Sequence, residues 1–154
     1  MKIQTVLASP VGDITIQSSE KGLSYVGFAP KSQYPEGSNT HLQRACAQLT
    51  EYFDGQRTSF DVALDTQGTP FQQSVWQLLC QIPFGETNTY GWMANMLNNP
   101  KAVRAVGSAN GQNPISIIVP CHRIIGANGK LTGYAGGLVR KSWLLAHEGI
   151  KITH

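Results

Sequence analysis

Hydrophobic periodicity changes along this chain, and that change restricts the fold more than any single motif does. Over residues 1–30 apolar and polar side chains alternate. Thr5-Val6-Leu7-Ala8 and Asp13-Ile14-Thr15-Ile16-Gln17 flank the turn-forming Ser9-Pro10-Val11-Gly12, and Lys21-Gly22 precedes Leu23-Ser24-Tyr25-Val26-Gly27-Phe28. A period of two puts alternate side chains on opposite faces of a strand, so the stretch predicts a three-strand antiparallel meander. Residues 30–38 carry Pro30, Pro35 and Gly37 and predict a loop. Leu42, Cys46, Leu49 and Phe53 then recur at helical spacing behind Asn39, a residue suited to the N-cap, and Gly55 ends the helix. Phe60 to Leu64 is a candidate fourth strand, and residues 65–69 read as a linker.

Beyond the linker the signals are helical. Thr69-Pro70 combines an N-cap with proline at the first helical position, and Phe71, Val75, Leu78 and Leu79 line one face before Pro83 and Gly85. A short helix is predicted from about Thr89 to Leu97. Asn98-Asn99-Pro100 breaks it and starts another that carries Val103, Val106 and Ala109. Two short helices joined by a tight polar turn form the helix-turn-helix pattern, which by itself also fits hairpins that bind nothing. Ile115 to Val119 reads as a short buried strand running into Pro120-Cys121-His122-Arg123. A glycine-rich loop, residues 126–137, leads to a last helix from about Leu138 to Glu148, closed by Gly149. The expected class is α/β of the α+β kind. A small antiparallel sheet with a helix spans 1–64, and a mostly helical domain spans 69–154, with the helix-turn-helix and a short strand leading to Cys121.

Composition narrows the setting. Hydrophobic residues make up 41% of the 154 and charged residues 14%, which suits a folded domain and argues against disorder. The apolar runs Ile115–Val119 and Trp143–Ala146 are too short to cross a bilayer. The start, Met1-Lys2-Ile3-Gln4-Thr5, has no apolar signal core, and three unpaired cysteines suit a reducing compartment, so a cytoplasmic monomer with no membrane partner is expected. Charge is uneven. Residues 1–86 hold five Lys/Arg against eight Asp/Glu, whereas residues 87–154 hold seven against the single acid Glu148. Small domains often vary this much, but the bias also fits a polyanion-facing second half.

Chemistry centres on Cys121. It follows a buried segment and a proline, stands beside His122 and Arg123, and precedes the glycine-rich loop. Cationic neighbours favour the thiolate, so a depressed pKa and a soft nucleophile are expected. Cys46 and Cys80 lie on or next to apolar helix faces and read as small hydrophobes. His122 can take the thiol proton, directly or through a water, if Glu148 holds its tautomer, although 26 residues separate the two. His41, His122, His147 and His154 have none of the usual zinc spacings, so neither a metal nor any other cofactor is expected. Trp76, Trp92 and Trp143 read as core.

Pro120-Cys121-His122-Arg123 after a branched apolar segment resembles the O6-alkylguanine-DNA alkyltransferases, the methylated-DNA–protein-cysteine methyltransferases. The resemblance extends from about Thr69 to Gly149. It takes in Pro83-Phe84-Gly85-Glu86, Tyr90, Asn99-Pro100-Lys101-Ala102-Val103-Arg104-Ala105-Val106-Gly107, Asn113-Pro114, Tyr134, Gly136-Gly137-Leu138 and Trp143 through Gly149. Residues 1–64 match only in expected architecture. The resemblance implies direct-reversal DNA repair: minor-groove binding, extrusion of O6-alkylguanine, and irreversible single-turnover transfer of the alkyl group to Cys121, with O4-alkylthymine left open. It implies His122 as base, Glu148 as its orienter and Asn113 as brace of the turn before Cys121. Arg104 would fill the gap left by the extruded base, among DNA contacts that include Ala102, Val103 and Tyr90. Tyr90 would also give the leaving base a proton. Tyr134, Ala135, Gly136 and Ile124 would form the base pocket. Ala135 replaces a serine of some relatives and Ser116 a proline, which bears on substrate range.

Two other functions fit parts of the pattern. Alkyltransferase-like damage sensors share such a scaffold but have another residue at the acceptor position, and Cys121 argues against them. A cysteine hydrolase using Cys121, His122 and Glu148 would leave the helix-turn-helix and the basic bias without a use.

Overall fold

A computed structural model describes residues 2–151, so His154, one of the four histidines without zinc spacing, lies outside the described residues. The chain divides into two compact units, 1–67 with 114–118, and 68–113 with 119–154.

In the first unit the meander forms as its alternation predicts. Strands β1 (Ile3–Leu7), β2 (Ile14–Ser18) and β3 (Leu23–Gly27) pair antiparallel in sequence order, with Leu7 opposite Ile14 and Ile16 opposite Val26. Ile14, Ile16, Leu23 and Val26 are fully buried, together with Leu42, Ala45, Leu49 and Tyr52 of helix α1 (Thr40–Phe53), which packs on β1 and β2. Asn39 caps α1, accepting from the Leu42 N–H at 2.9 Å, and its amide also donates to Ser18 Oγ at 2.8 Å, which ties the helix start to β2. A cap of this kind contributes about 1 kcal/mol.

Two expected strands are absent, and each has a physical reason. Over Phe60–Leu64 the backbone of Asp61 is taken by the buried Gln48 side chain of α1. The Asp61 N–H donates to Oε1 at 2.8 Å, and its carbonyl accepts from Nε2 at 3.0 Å. A glutamine thus stands where a sheet partner would. Only a single parallel bridge, Leu23 to Leu64, remains. The close approach depends on Gly22, where a Cβ would lie 2.7 Å from the Ala63 carbonyl. Over Ile115–Val119, Val26 donates to Pro114 O at 2.9 Å and accepts from the Ser116 N–H at 2.8 Å, but pairing stops there. Ile117 adopts φ 70, a left-handed conformation costly for a β-branched residue, and turns the chain away.

The second unit is mostly helical. Helix α2 (Pro70–Leu79) starts with a reciprocal capping box between Thr69 and Gln72 and buries Val75, Trp76, Leu78 and Leu79. Helix α3 (Tyr90–Met96) is capped by Thr89, and Asn98 at φ 58 reverses the chain into α4 (Val103–Gly111), which packs on α3 and α2. Asparagine tolerates that backbone, which explains why an Asn-Asn-Pro turn separates the two helices. Trp76 donates through Nε1 to Ala109 O at 2.8 Å and locks α2 to α4. Of the three tryptophans read as core, only Trp76 is buried; Trp92 and Trp143 are half-exposed. Helix α5 (Leu138–His147) ends at Glu148 and Gly149. Two short strands not anticipated from sequence, β4 (Asn88–Thr89) and β5 (Ile124–Ile125), pair in parallel. They set the start of α3 beside the residues that follow Cys121. No described helix is long and apolar enough to cross a membrane.

Candidate active site

Cys121 opens a 3-10 turn, Cys121–Arg123, with its N–H donating to Val119 O at 2.8 Å and only 4% of its surface exposed. Asn113 leaves the end of α4 and reaches back. Its Nδ2 donates to Val119 O at 2.9 Å, and its side chain also hydrogen-bonds the Cys121 sulfur. One amide thereby braces the turn and solvates the nucleophile. The depressed pKa expected for Cys121 is not what the structure produces. Burial pushes the thiol up, and the Asn113 hydrogen bond and the positive charge of Lys141 only oppose that push. A thiol in this position needs a base.

His122 supplies one. It is fully buried, and its Nε2 lies 2.7 Å from Glu148 Oε2. A carboxylate only accepts, so Nε2 carries the proton and Nδ1 keeps its lone pair. Nδ1 is buried with no hydrogen-bond partner among the described residues. Burial lowers the His122 pKa, Glu148 opposes this, and the charges of Arg123 and Lys141 lower it further, so the ring rests neutral. A neutral imidazole with a free lone pair is a competent proton acceptor.

Arg123 has a different place from the one its sequence neighbours suggested. Its guanidinium turns to Glu148, with Nε donating to Oε1 at 2.8 Å and Nη2 to Oε2 at 3.2 Å, while Nη1 donates to Ile82 O at 2.7 Å. Gly85, at φ 83, adds its N–H to Glu148 Oε1 at 3.2 Å. The lone acid of the basic half is thus the hub of a buried ion-pair network, and Arg123 fixes the carboxylate that fixes His122.

Lys141 was missed altogether. It is fully buried on α5, and its Nζ donates to Ile124 O at 2.5 Å, to Thr132 O at 3.2 Å and to Thr132 Oγ1 at 3.4 Å. Burial lowers its pKa to about 8, and Cys121 opposes this. The signal was present in sequence: Lys141 stands at helical spacing with the buried Leu144, Leu145 and Glu148. Ile124, expected to line the base pocket, spends part of its carbonyl capacity on Lys141.

The remaining site residues occupy three places. Tyr90 is half-buried at the start of α3, with Oη 2.6 Å from Thr132 Oγ1. Tyr134, Ala135 and Gly136 lie on the loop entering α5, where Ala135 is exposed. Val103 is 41% exposed, and Arg104 and Ala105 are exposed beside it on α4, while Ala102 forms an N-cap with no side-chain hydrogen bond. The first turn of α4 therefore presents small residues, one cation and N–H groups that the N-cap side chain does not cover. Cys46 is half-buried, but Cys80 is exposed at the end of α2, contrary to the expectation of a buried hydrophobe. Among the described residues no three His, Cys, Asp or Glu side chains stand together so as to hold a metal ion.

A helical unit that combines a helix-turn-helix with a buried cysteine, a neutral histidine and a carboxylate orienter defines a class: a helix-turn-helix fold equipped for nucleophilic chemistry. Comparison with known proteins gives the family. Residues 70–150 match the 6-O-methylguanine DNA methyltransferase DNA-binding domain, and residues 2–66 match the ribonuclease-like domain of the same enzymes. A methylated-DNA–protein-cysteine methyltransferase of Methanosarcina acetivorans is 52% identical over 150 residues, 94% of this chain and 96% of the relative. The crystal structure of the Mycobacterium tuberculosis O6-methylguanine methyltransferase superposes with a TM-score of 0.87 at 46% identity, covering 96% of this chain and 93% of that one. A structure of the M. tuberculosis protein in complex with DNA gives 0.86 at 46% identity, covering 93% and 90%. The chain belongs to the 6-O-methylguanine DNA methyltransferase family.

Proposed function

We propose that this protein repairs alkylated DNA by direct reversal, taking the alkyl group of O6-alkylguanine onto Cys121 once per molecule. The observation that carries the reading is the buried Cys121 sulfur held by Asn113, next to a His122 whose tautomer leaves Nδ1 basic. His122 takes the thiol proton, directly or through a water, and Glu148 stabilises the imidazolium that forms. The thiolate attacks the alkyl carbon. A sulfur–carbon bond forms, the carbon–O6 bond breaks, and its electron pair stays with the purine. Tyr90 gives the departing base a proton. The thioether has no route back to a thiol, so each molecule acts once.

Binding follows from α4. A base within a duplex is out of reach of a buried sulfur and must be extruded, at a cost of a few kcal/mol. Arg104, exposed near the helix start, fills the resulting gap, the small Ala102 and Ala105 allow the helix to approach the minor groove closely, and Val103 lies against the DNA beside them. Tyr134, Ala135, Gly136 and Ile124 enclose the extruded base. The test is Cys121→Ser. A hydroxyl is far harder to ionise than a thiol, so the variant should bind duplex containing O6-methylguanine as the wild type does and transfer nothing. Transfer near the wild-type rate would show that Cys121 is not the acceptor.

A further inference from the structure

Two consecutive residues of α5 grip the glycine-rich loop at different points. Lys141 Nζ donates to Thr132 O at 3.2 Å, and Arg140 Nη1 donates to Gly136 O at 3.1 Å. Between the two grips lie Gly133, Tyr134 and Ala135, so the grips bracket the wall assigned above to the extruded base. The wall closes on itself through the Gly137 N–H, which donates to Tyr134 O at 2.9 Å, and Gly137 takes φ 90, a backbone that side-chain-bearing residues rarely adopt. Packing does little to hold it. Tyr134 and Gly136 are only half-buried and Ala135 is exposed. A groove of about 480 Å³ runs between Lys130 and Leu131 of the loop and Leu138, Val139 and Ser142 of α5. Leu138 is 48% and Val139 86% exposed, so the helix start is not covered by the loop. A segment with so little packed against it keeps its position through its hydrogen bonds. The Arg140 bond is the charge-assisted one at the Gly136 end, and such bonds are about twice as strong as neutral ones.

We infer that Arg140 determines specificity: by holding Gly136 it fixes the pocket wall and limits the size of the O6-alkyl group that the site accepts. The inference deepens the repair reading and rests on it. Arg140 reaches the pocket only through the backbone of Gly136, so it is a positioning residue. A methylated base fits with the wall in place. A benzyl group adds a ring to the same carbon, and the wall must move outward to admit it. While Arg140 holds Gly136, that movement stretches or breaks a charge-assisted hydrogen bond, and the bulky substrate is disfavoured by the strength of that bond. Discrimination of this kind comes from a clash built against the unwanted ligand rather than from added contacts with the wanted one. Without the guanidinium the wall can retreat between the Thr132 anchor and Gly137, and the cost of admitting the larger group falls. The methylated base gains nothing from the extra room, and it loses some of the alignment that a fixed wall provides.

The test compares two single-turnover reactions, transfer from a duplex containing O6-methylguanine and transfer from free O6-benzylguanine, in wild type, Arg140→Met and Arg140→Gln. Methionine keeps an apolar stem and glutamine a shorter polar one, and neither brings a guanidinium N–H to Gly136. Both variants should react faster than wild type with the free benzylated base, by about tenfold, the lower end of what a charge-assisted hydrogen bond sustains once partial exposure is allowed for. Neither should gain on the methylated duplex. A gain with one substrate is a result that damaged folding does not produce. Equal losses on both substrates, or an unchanged preference, would overturn the inference while leaving the repair reading intact. A preference that shifts only because the duplex reaction slows, with the free base unaffected, would mark Arg140 as a phosphate contact and overturn it as well. Absence of transfer by the wild type from either substrate would overturn the repair reading, and the role of Arg140 with it.

Discussion

Replacing Glu148 with glutamine keeps the shape of the side chain and removes its charge. Glu148 is 5% exposed and accepts from Arg123 Nε and Nη2, His122 Nε2 and the Gly85 N–H. A glutamine offers one oxygen and one NH2 group to these donors. With the oxygen turned to Arg123, the NH2 faces His122 Nε2, and two donors meet unless the imidazole moves its proton to Nδ1. The substitution therefore has two consequences. Arg123 becomes a buried cation without a counter-charge, which typically costs about 3–5 kcal/mol. The surviving oxygen recovers part of that, so about 3 kcal/mol is expected, out of about 5–15 kcal/mol for a domain of this size. At about 2–4 °C per kcal/mol the unfolding midpoint should fall by about 6–12 °C. Separately, His122 loses the lone pair that accepts the thiol proton, and single-turnover transfer should drop about a hundredfold or more. The assay is thermal unfolding beside transfer kinetics, repeated with the double variant Glu148→Gln/Arg123→Met. Removing the stranded cation should recover most of the stability and none of the rate. A midpoint within about 2 °C of wild type for Glu148→Gln alone would refute the reasoning about the buried network.

Arg104→Ala should weaken binding and slow transfer about tenfold or more on duplex substrate, where a gap costing a few kcal/mol must be filled. It should change transfer from the free alkylated base little, and equal losses on both substrates would contradict the assignment. Methylation of Cys121 should destabilise the protein, because the added methyl enters a site only 4% exposed and the Asn113 hydrogen bond to sulfur weakens. Overpacking of this kind costs about 1–3 kcal/mol, so thermal unfolding of fully methylated protein should begin several degrees lower. An unchanged or raised midpoint would count against a tightly packed acceptor site.

The parts of this fold that sequence made legible are those set by local chemistry. Thr69-Pro70 announced α2, Asn39 announced α1, Asn98-Asn99-Pro100 the turn between α3 and α4, and the alternation around Ile14 and Ile16 the meander. Each signal lies within a few residues of the structure it specifies. The misreadings concern partners distant in sequence. Gln48 satisfies the backbone of Asp61 from thirteen residues away, so Phe60–Leu64 looks like a strand and is not one. Ile115–Val119 has strand composition, but Ile117 turns the chain after a single bridge. At the site, Cys121 and His122 were visible as a motif, and Glu148 as the lone acid of a basic segment. Arg123 was assigned to the thiol because it is adjacent in sequence, whereas its guanidinium reaches Glu148 and Ile82. Lys141 belongs to no local motif, and only its helical spacing with Leu144, Leu145 and Glu148 places it in the buried stripe of α5. The expectation of a low Cys121 pKa counted nearby charges and left out desolvation, the larger effect here.

The central claim is that Cys121 itself receives the alkyl group, once. The direct measurement is peptide mass analysis after incubation with an excess of duplex carrying one O6-methylguanine. The account predicts that a methyl group replaces the thiol hydrogen on the Cys121 peptide alone, that one guanine is restored per protein molecule, and that the reaction then stops. A methyl group on Cys46 or Cys80, continued repair beyond one lesion per molecule, or restored guanine with Cys121 unmodified would contradict it.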